Sequence, residues 1–333
     1  MPPKRRRLSK NPQTEDEGRP EEENSATIKP QPHEDFWFED GSIVLATDVH
    51  LYRVHKGMLS RFSKVLNDLF ELPTGDADAD NSEGVPIVRM VGDSDEGVLI
   101  LLRALYGMSL RDTLGELTLM EIASLLSISS KYDFQDIRAI VKQYLESLFP
   151  DTLKKYKDSK IHKREYPSDH LFELIALARR CEVPMILPTL YYLCARLPME
   201  KLVVHLDNLP KDVSKALLLG RTWMSENPAF YLIGHSLQYR KVGGEHSAIC
   251  KSSRCLEEFR SHLSNFPGGR SGFVSIFDIP DRGVLDGVDM KHSKICEDCA
   301  DTYVKSVGTS KQRAWNVLSS KFMGKMWNEL NGK

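Results

Sequence analysis

The sequence predicts an α+β chain: a small sheet capped by helices, followed by a mainly helical C-terminal region. Short β-rich runs occur only early, at residues 43–45, 51–54 and 86–90. Apolar residues at helical spacing dominate from 98 to 148, and that spacing resumes from 171. Strands alternate sides every residue while helices repeat every three to four, so the change of period marks the change of structure.

Order is expected to begin at Phe36-Trp37-Phe38. Ile43-Val44-Leu45 follows the turn signal Asp40-Gly41, and Leu51-Tyr52-Arg53-Val54 alternates as a half-buried strand does. Two short helices follow, Lys56 to Arg61 and Ser63 to Phe70, with Ser63 as N-cap of the second. Residues 73–84 are rich in Gly, Asp and Asn and read as a loop, and Pro86 to Met90 is a third strand. Val98, Leu101, Leu102 and Leu105 share a helix face, as do Leu119, Ile122, Ala123 and Leu126. Ile137, Ile140, Val141, Tyr144, Leu145 and Leu148 extend a third helix to Pro150.

Residues 151–168 are strongly charged and read as a linker or solvated helix. Leu171, Leu174, Ile175 and Ala178 open the second helical set, which Pro184 ends. Leu190, Leu193, Cys194 and Leu197 form the next helix, with Pro188 tolerated in its first turn. A longer helix is expected from about Asp212 to Trp223, then an irregular region over 240–295. A last amphipathic helix carries Trp315, Leu318, Phe322 and Met326. The organisation is therefore a tail at 1–35, an α/β unit at 36–150, a linker at 151–168 and a helical region at 169–333.

Specific residues sharpen the first unit. Asp40-Gly41-Ser42-Ile43-Val44-Leu45, then Tyr52-Arg53-Val54-His55-Lys56-Gly57-Met58-Leu59, Ser63 and Phe70, resemble a BTB/POZ domain. Leu102-Arg103-Ala104-Leu105-Tyr106-Gly107 continues the resemblance into the third long helix, and the resemblance as a whole covers about residues 35–149. Asp35-Phe36-Trp37-Phe38-Glu39-Asp40-Gly41 is similar in particular to the expanded BTB group of mushroom-forming fungi, and Leu177-Ala178-Arg179 and Leu187-Pro188 fit that group too. The resemblance implies a protein-binding scaffold or regulator, usually a homodimer. Its partners would be a cullin, in a ubiquitin-ligase adaptor, or a co-repressor, in transcriptional regulation. It also points to Phe36, Trp37, Phe38, Met58, Leu59 and Phe62 as the dimer interface. Cullin-binding members often carry a Glu a few residues before the Tyr of the third helix, where this chain has Ile100.

Composition narrows the function classes. With 45 Lys and Arg against 47 Asp and Glu, the net charge of −2 supplies no concentrated positive field, so direct nucleic-acid binding is not expected. No apolar run approaches the roughly 20 residues that span a bilayer. Residues 1–35 hold six of the 17 prolines and almost no large apolar side chains, a composition that cannot offset the entropy of ordering. The basic run Lys4-Arg5-Arg6-Arg7 within them leads into no apolar segment, which argues against a secretory signal, and it fits a nuclear-import signal. A reducing compartment, nucleus or cytoplasm, is the expectation.

An enzyme is not expected. Nucleophile-elbow, phosphate-loop and zinc-protease motifs are missing from the sequence. An enzyme acting through an unrecognised site in residues 160–333 is the alternative reading. Asp76, Asp78 and Asp80 mimic the start of a calcium loop, but Asn81 replaces its Gly and Ile87 its final Glu. His55 reads as structural, and Cys181 and Cys194 as core. The other cysteines are paired in sequence, Cys250-x4-Cys255 and Cys296-x2-Cys299, inside a segment at 246–300 that is poor in periodic apolar residues. Four thiolates suit one structural zinc, and His246 and His292, each four residues ahead of a pair, are substitute ligands.

Overall fold

The computed structural model describes residues 29–72, 81–82, 84–107, 109–163, 166–226, 253–264 and 275–330. Lys4, Arg5, Arg6, Arg7, Asp76, Asp78, Asp80, His246 and Cys250 lie outside the described residues.

A five-stranded mixed sheet opens the chain, from β1 (Gln31–Trp37), β2 (Ile43–Ala46), β3 (His50–Val54), β4 (Asn81–Ser82) and β5 (Val85–Arg89) in the spatial order β1-β3-β2-β5-β4. β2 and β3 run antiparallel with Leu45 opposite Tyr52, while β2 with β5 and β1 with β3 are parallel. All four residues of β2 are buried, as a central strand covered on both faces requires.

Strand β1 begins five residues before the predicted onset of order. Gln31 to Asp35 carry no large apolar side chain and are mostly exposed, and only Phe36 is buried. Backbone pairing with β3 stabilises an edge that apolar patterning does not reveal.

Helices α1 (Lys56–Phe62) and α2 (Lys64–Glu71) are separated by the single residue Ser63. Its buried hydroxyl accepts from the Leu66 N–H and donates to the Tyr132 carbonyl, which caps α2 and fixes the bend. α3 (Asp95–Leu105), α4 (Leu110–Thr113), α5 (Leu119–Lys131) and α6 (Gln135–Leu148) then pack beside the sheet. Thr118 and Glu121 form a capping box at the start of α5.

The charged stretch after Pro150 forms α7 (Leu153–Asp158) and α8 (Lys160–Lys163), and it is not a detached linker. Leu153, Tyr156 and Ile161 are buried in the main core, while Lys154, Lys155 and Lys160 are exposed and Lys157 pairs with Asp281. Three anchors in a lysine-rich run suffice because neighbouring helices supply the apolar cover.

α9 (Ser168–Arg180), α10 (Leu187–Ala195), α11 (Met199–Leu206) and α12 (Lys211–Glu226) follow. Eight of the nine residues of α10 are buried, and the helix touches α9, α12 and the long helix described next. α13 (Ser253–Ser264) falls inside the region predicted to be irregular. The long helix α14 (Glu297–Met323) starts well before Trp315, and α15 (Trp327–Leu330) closes the described chain. Gly324, at φ +69°, ends α14 in the left-handed conformation that glycine adopts without strain. Met326 therefore lies past the helix and is 41% exposed, unlike Trp315, Leu318 and Phe322, which are buried as expected.

One continuous core runs from Phe36 to Phe322 and joins the α/β unit to the helical region. The Trp315 indole N–H donates to the Asp151 carbonyl at 2.7 Å, Arg138 on α6 to the Cys181 carbonyl, and Thr189 to the Pro150 carbonyl. A second, smaller core holds Phe259, Ile279, Leu285, Ile295, Tyr303 and Val307. α14 belongs to both, through Ala300, Tyr303 and Val307 at one end and Trp315, Leu318 and Phe322 at the other.

At the crossing of α12 and α14, a Cβ on Gly220 would overlap the Phe322 ring. Gly220→Ala is therefore expected to destabilise by about 1–2 kcal/mol, because overpacking outweighs the helix-propensity gain. Urea denaturation measures this, and an unchanged midpoint would show that the ring yields freely.

Candidate interaction surface and thiolate cluster

The predicted interface residues divide by position. Phe36 and Leu59 are buried within the chain's own core. Phe38 is half-buried and stacks on Tyr106 with ring centroids 5.2 Å apart, while Trp37 and Met58 are partly exposed. Phe62 is exposed at the end of α1. Val65 and Leu69 lie one turn apart on α2 and Leu72 is its extended C-cap, so with Phe62 this short apolar stripe of chain leaves four large side chains in solvent. Arg61, Lys64, Asp133 and Asp136 line an adjoining groove, so a polar margin borders the stripe. A second exposed apolar set lies on α11 and α12, at Met199, Val203, Val204, Leu218 and Leu219.

His55 is structural in its surroundings. Its backbone N–H donates to the Tyr106 hydroxyl at 3.0 Å, its Nδ1 lies 2.9 Å from the same oxygen, and its Nε2 lies 3.2 Å from Asp40. The ring therefore ties the start of α1 to the end of α3.

Sequence reasoning missed a polar cluster around Asp95. Thr47 and Tyr52 donate to Oδ1 at 2.5 and 2.8 Å, and His50 Nδ1 lies 2.7 Å from Oδ2. His33 on β1 stacks on Tyr52, bringing the edge strand to the same cluster. Desolvation acts to raise the Asp95 pKa, but the hydrogen bonds from Thr47, His50 and Tyr52 outweigh it and hold the carboxyl below the usual range. Burial, reinforced by Asp95, pushes the Tyr52 hydroxyl far up. The only signal in the sequence was polar Thr47, His50 and Tyr52 around a short strand, with Asp95 in the first turn of a distant helix.

In the C-terminal region, Arg196 and Asp278 pair at 2.6 Å, with the guanidinium over the Tyr192 ring. A cavity of about 230 Å³ between α12 and α14 is lined mainly by apolar groups, among them Trp223, Met224, Phe277 and Val317. Cys181 and Cys194 are buried in the main core, and burial pushes the Cys194 thiol up.

Three of the four cysteines paired in sequence meet in space. The Sγ atoms of Cys255, Cys296 and Cys299 all lie within 4.8 Å of one another, and none of the described cysteines is in a disulfide. Cys255 is buried on α13, Cys296 is the exposed N-cap of α14, and Cys299 lies one turn further on. The Cys296 backbone N–H donates to Cys255 Sγ at 3.4 Å, and that Sγ lies 3.4 Å from the Lys294 carbonyl. His292 is instead paired with Asp289 at 2.8 Å and stays in solvent.

A small mixed sheet flanked by helices, with exposed apolar side chains on α1 and α2, is the arrangement of a protein-interaction module. The BTB/POZ domain family model matches residues 38–148, and this third of the chain is a BTB/POZ domain followed by a mainly helical region. No curated protein matches the chain. Among the described residues, no helix is long and apolar enough to cross a membrane.

Proposed function

We propose that the protein is a nuclear scaffold or regulator that dimerises through α1 and α2 of its BTB/POZ domain. The stripe Phe62, Val65, Leu69 and Leu72 carries this reading. Each such side chain gains roughly 1.5–3 kcal/mol when fully buried, and a two-fold copy of the same stripe provides matching cover. Trp37 and Met58 are partly exposed and remain available to the same interface.

Ile100 is buried within α3, so the position that carries a Glu in many cullin-binding members presents no carboxylate here. That favours a transcriptional regulator over a ubiquitin-ligase adaptor. The segment from Asp35 to Gly41 supports placing the chain in the expanded BTB group of mushroom-forming fungi, and Lys4 to Arg7 supports nuclear import.

Light scattering of the full chain at tens of micromolar is expected to give twice the monomer mass. The double variant Val65→Glu/Leu69→Glu should run as a folded monomer, since facing carboxylates repel and both sites are already solvent-exposed. A monomeric wild type, or a variant that stays dimeric, would overturn the interface.

A further inference from the structure

We propose that Cys255, Cys296 and Cys299 are ligands of a structural zinc ion that clips α13 to the N-terminus of α14. This goes beyond the BTB/POZ reading and is independent of it.

The ligands come from two segments about forty residues apart in sequence, yet their sulfurs lie within 4.8 Å of one another. A tetrahedral zinc site with Zn–S bonds of about 2.3 Å places sulfurs roughly 3.8 Å apart, so small side-chain adjustments close the site. The Cys296 N–H directed at Cys255 Sγ is a contact that a metal-bound thiolate accepts. The opening turn of α14 adds the positive end of the helix dipole, which favours thiolate over thiol.

The small core beside the cluster is held by few large side chains, chiefly Phe259, Leu285, Ile295 and Tyr303. On α13, Cys255 and Phe259 both point into packed surroundings, so a metal bond at Cys255 fixes the helix where its own apolar face is narrow. Thiolates select a soft or borderline ion, and zinc binds them without redox change. On loading, each ligating thiol releases its proton to solvent and no electron moves. Three thiolates fill three of the four positions of a tetrahedral ion, which ties α13 to the first turn of α14.

The test uses the full chain, purified under reducing conditions. Elemental analysis should find about one zinc per chain, and replacing zinc by Co(II) should produce sulfur-to-cobalt charge-transfer absorption. Cys296→Ser and Cys299→Ser should lose the zinc, while Cys181→Ala, in the main core, should keep it. Cys296 is exposed, so its variant is not expected to disturb packing. A readout that does not depend on variants is thiol labelling of the wild type, which should rise sharply once a chelator is added. Absence of stoichiometric zinc and of the cobalt band, with labelling indifferent to chelator, would overturn the proposal.

Discussion

Replacing Trp315 with alanine is expected to lower the unfolding free energy by about 3–5 kcal/mol, the range for deleting a large buried aromatic. Trp315 is 1% exposed and stands at the centre of an aromatic cluster. Its ring centroid is 4.7 Å from Tyr156, 5.2 Å from Phe277 and 6.2 Å from Trp327, which stacks nearly parallel to it. Truncation leaves a cavity that α7, α10 and α14 cannot all collapse into, because each is fixed by other packing. It also strips the Asp151 carbonyl of its indole donor. Trp315→Phe separates the two losses, since it keeps most of the volume and removes only the N–H; its expected cost is about 1–2 kcal/mol. Chemical denaturation of both variants measures the effect. A Trp315→Ala cost below about 1 kcal/mol would mean that the two parts of the chain do not share a core.

Asp95→Ala is the other large effect, about 3 kcal/mol at neutral pH. Hydrogen bonds to a charged group contribute roughly 1.5–3 kcal/mol each and do not add fully. The variant leaves Thr47, His50 and Tyr52 without their shared acceptor and removes a carboxylate from the first turn of α3, where the helix dipole favours it. The pH dependence has a definite sign. Asp95 is held below its unfolded pKa of about 3.9, so its contribution is complete above that value and is lost as pH falls through the folded pKa. Wild type and variant should differ most near pH 7 and converge in strong acid. A gap that stays constant down to the lowest pH would show that the carboxylate's charge contributes nothing.

Much of the BTB/POZ unit was legible because its strands and helices bury one face with a clean period. Ile43 to Leu45, Tyr52 and Val54, and the stripes on α3, α5 and α6 have direct counterparts in the core. The stretches that escaped reading have diluted patterns. β1 buries only Phe36 and is held by backbone pairing. α7 hides Leu153 and Tyr156 among lysines. The first half of α14 buries Ala300, Tyr303 and Val307 between Ser, Thr and Gly residues, and Lys311 occupies a core position in mid-stripe. That ammonium is buried yet bonded to the Ile279 carbonyl and to Asp281, a satisfaction supplied by segments distant in sequence. The cysteine pairs were visible as spacing, but the approach of Cys255 to Cys296 and Cys299 depends on how α13 lies against α14.

The indole bond to Asp151 spans 164 residues of chain, and this has a consequence during biosynthesis. Chains lengthen at about 5–20 residues per second, so roughly ten to thirty seconds separate the emergence of Asp151 from that of Trp315. For most of that interval Tyr156 and Tyr192 have been made while the aromatic ring that covers them has not. The nascent chain therefore waits on the ribosome with α7 and α10 incompletely covered, and a holding chaperone has its widest opportunity before α14 is complete.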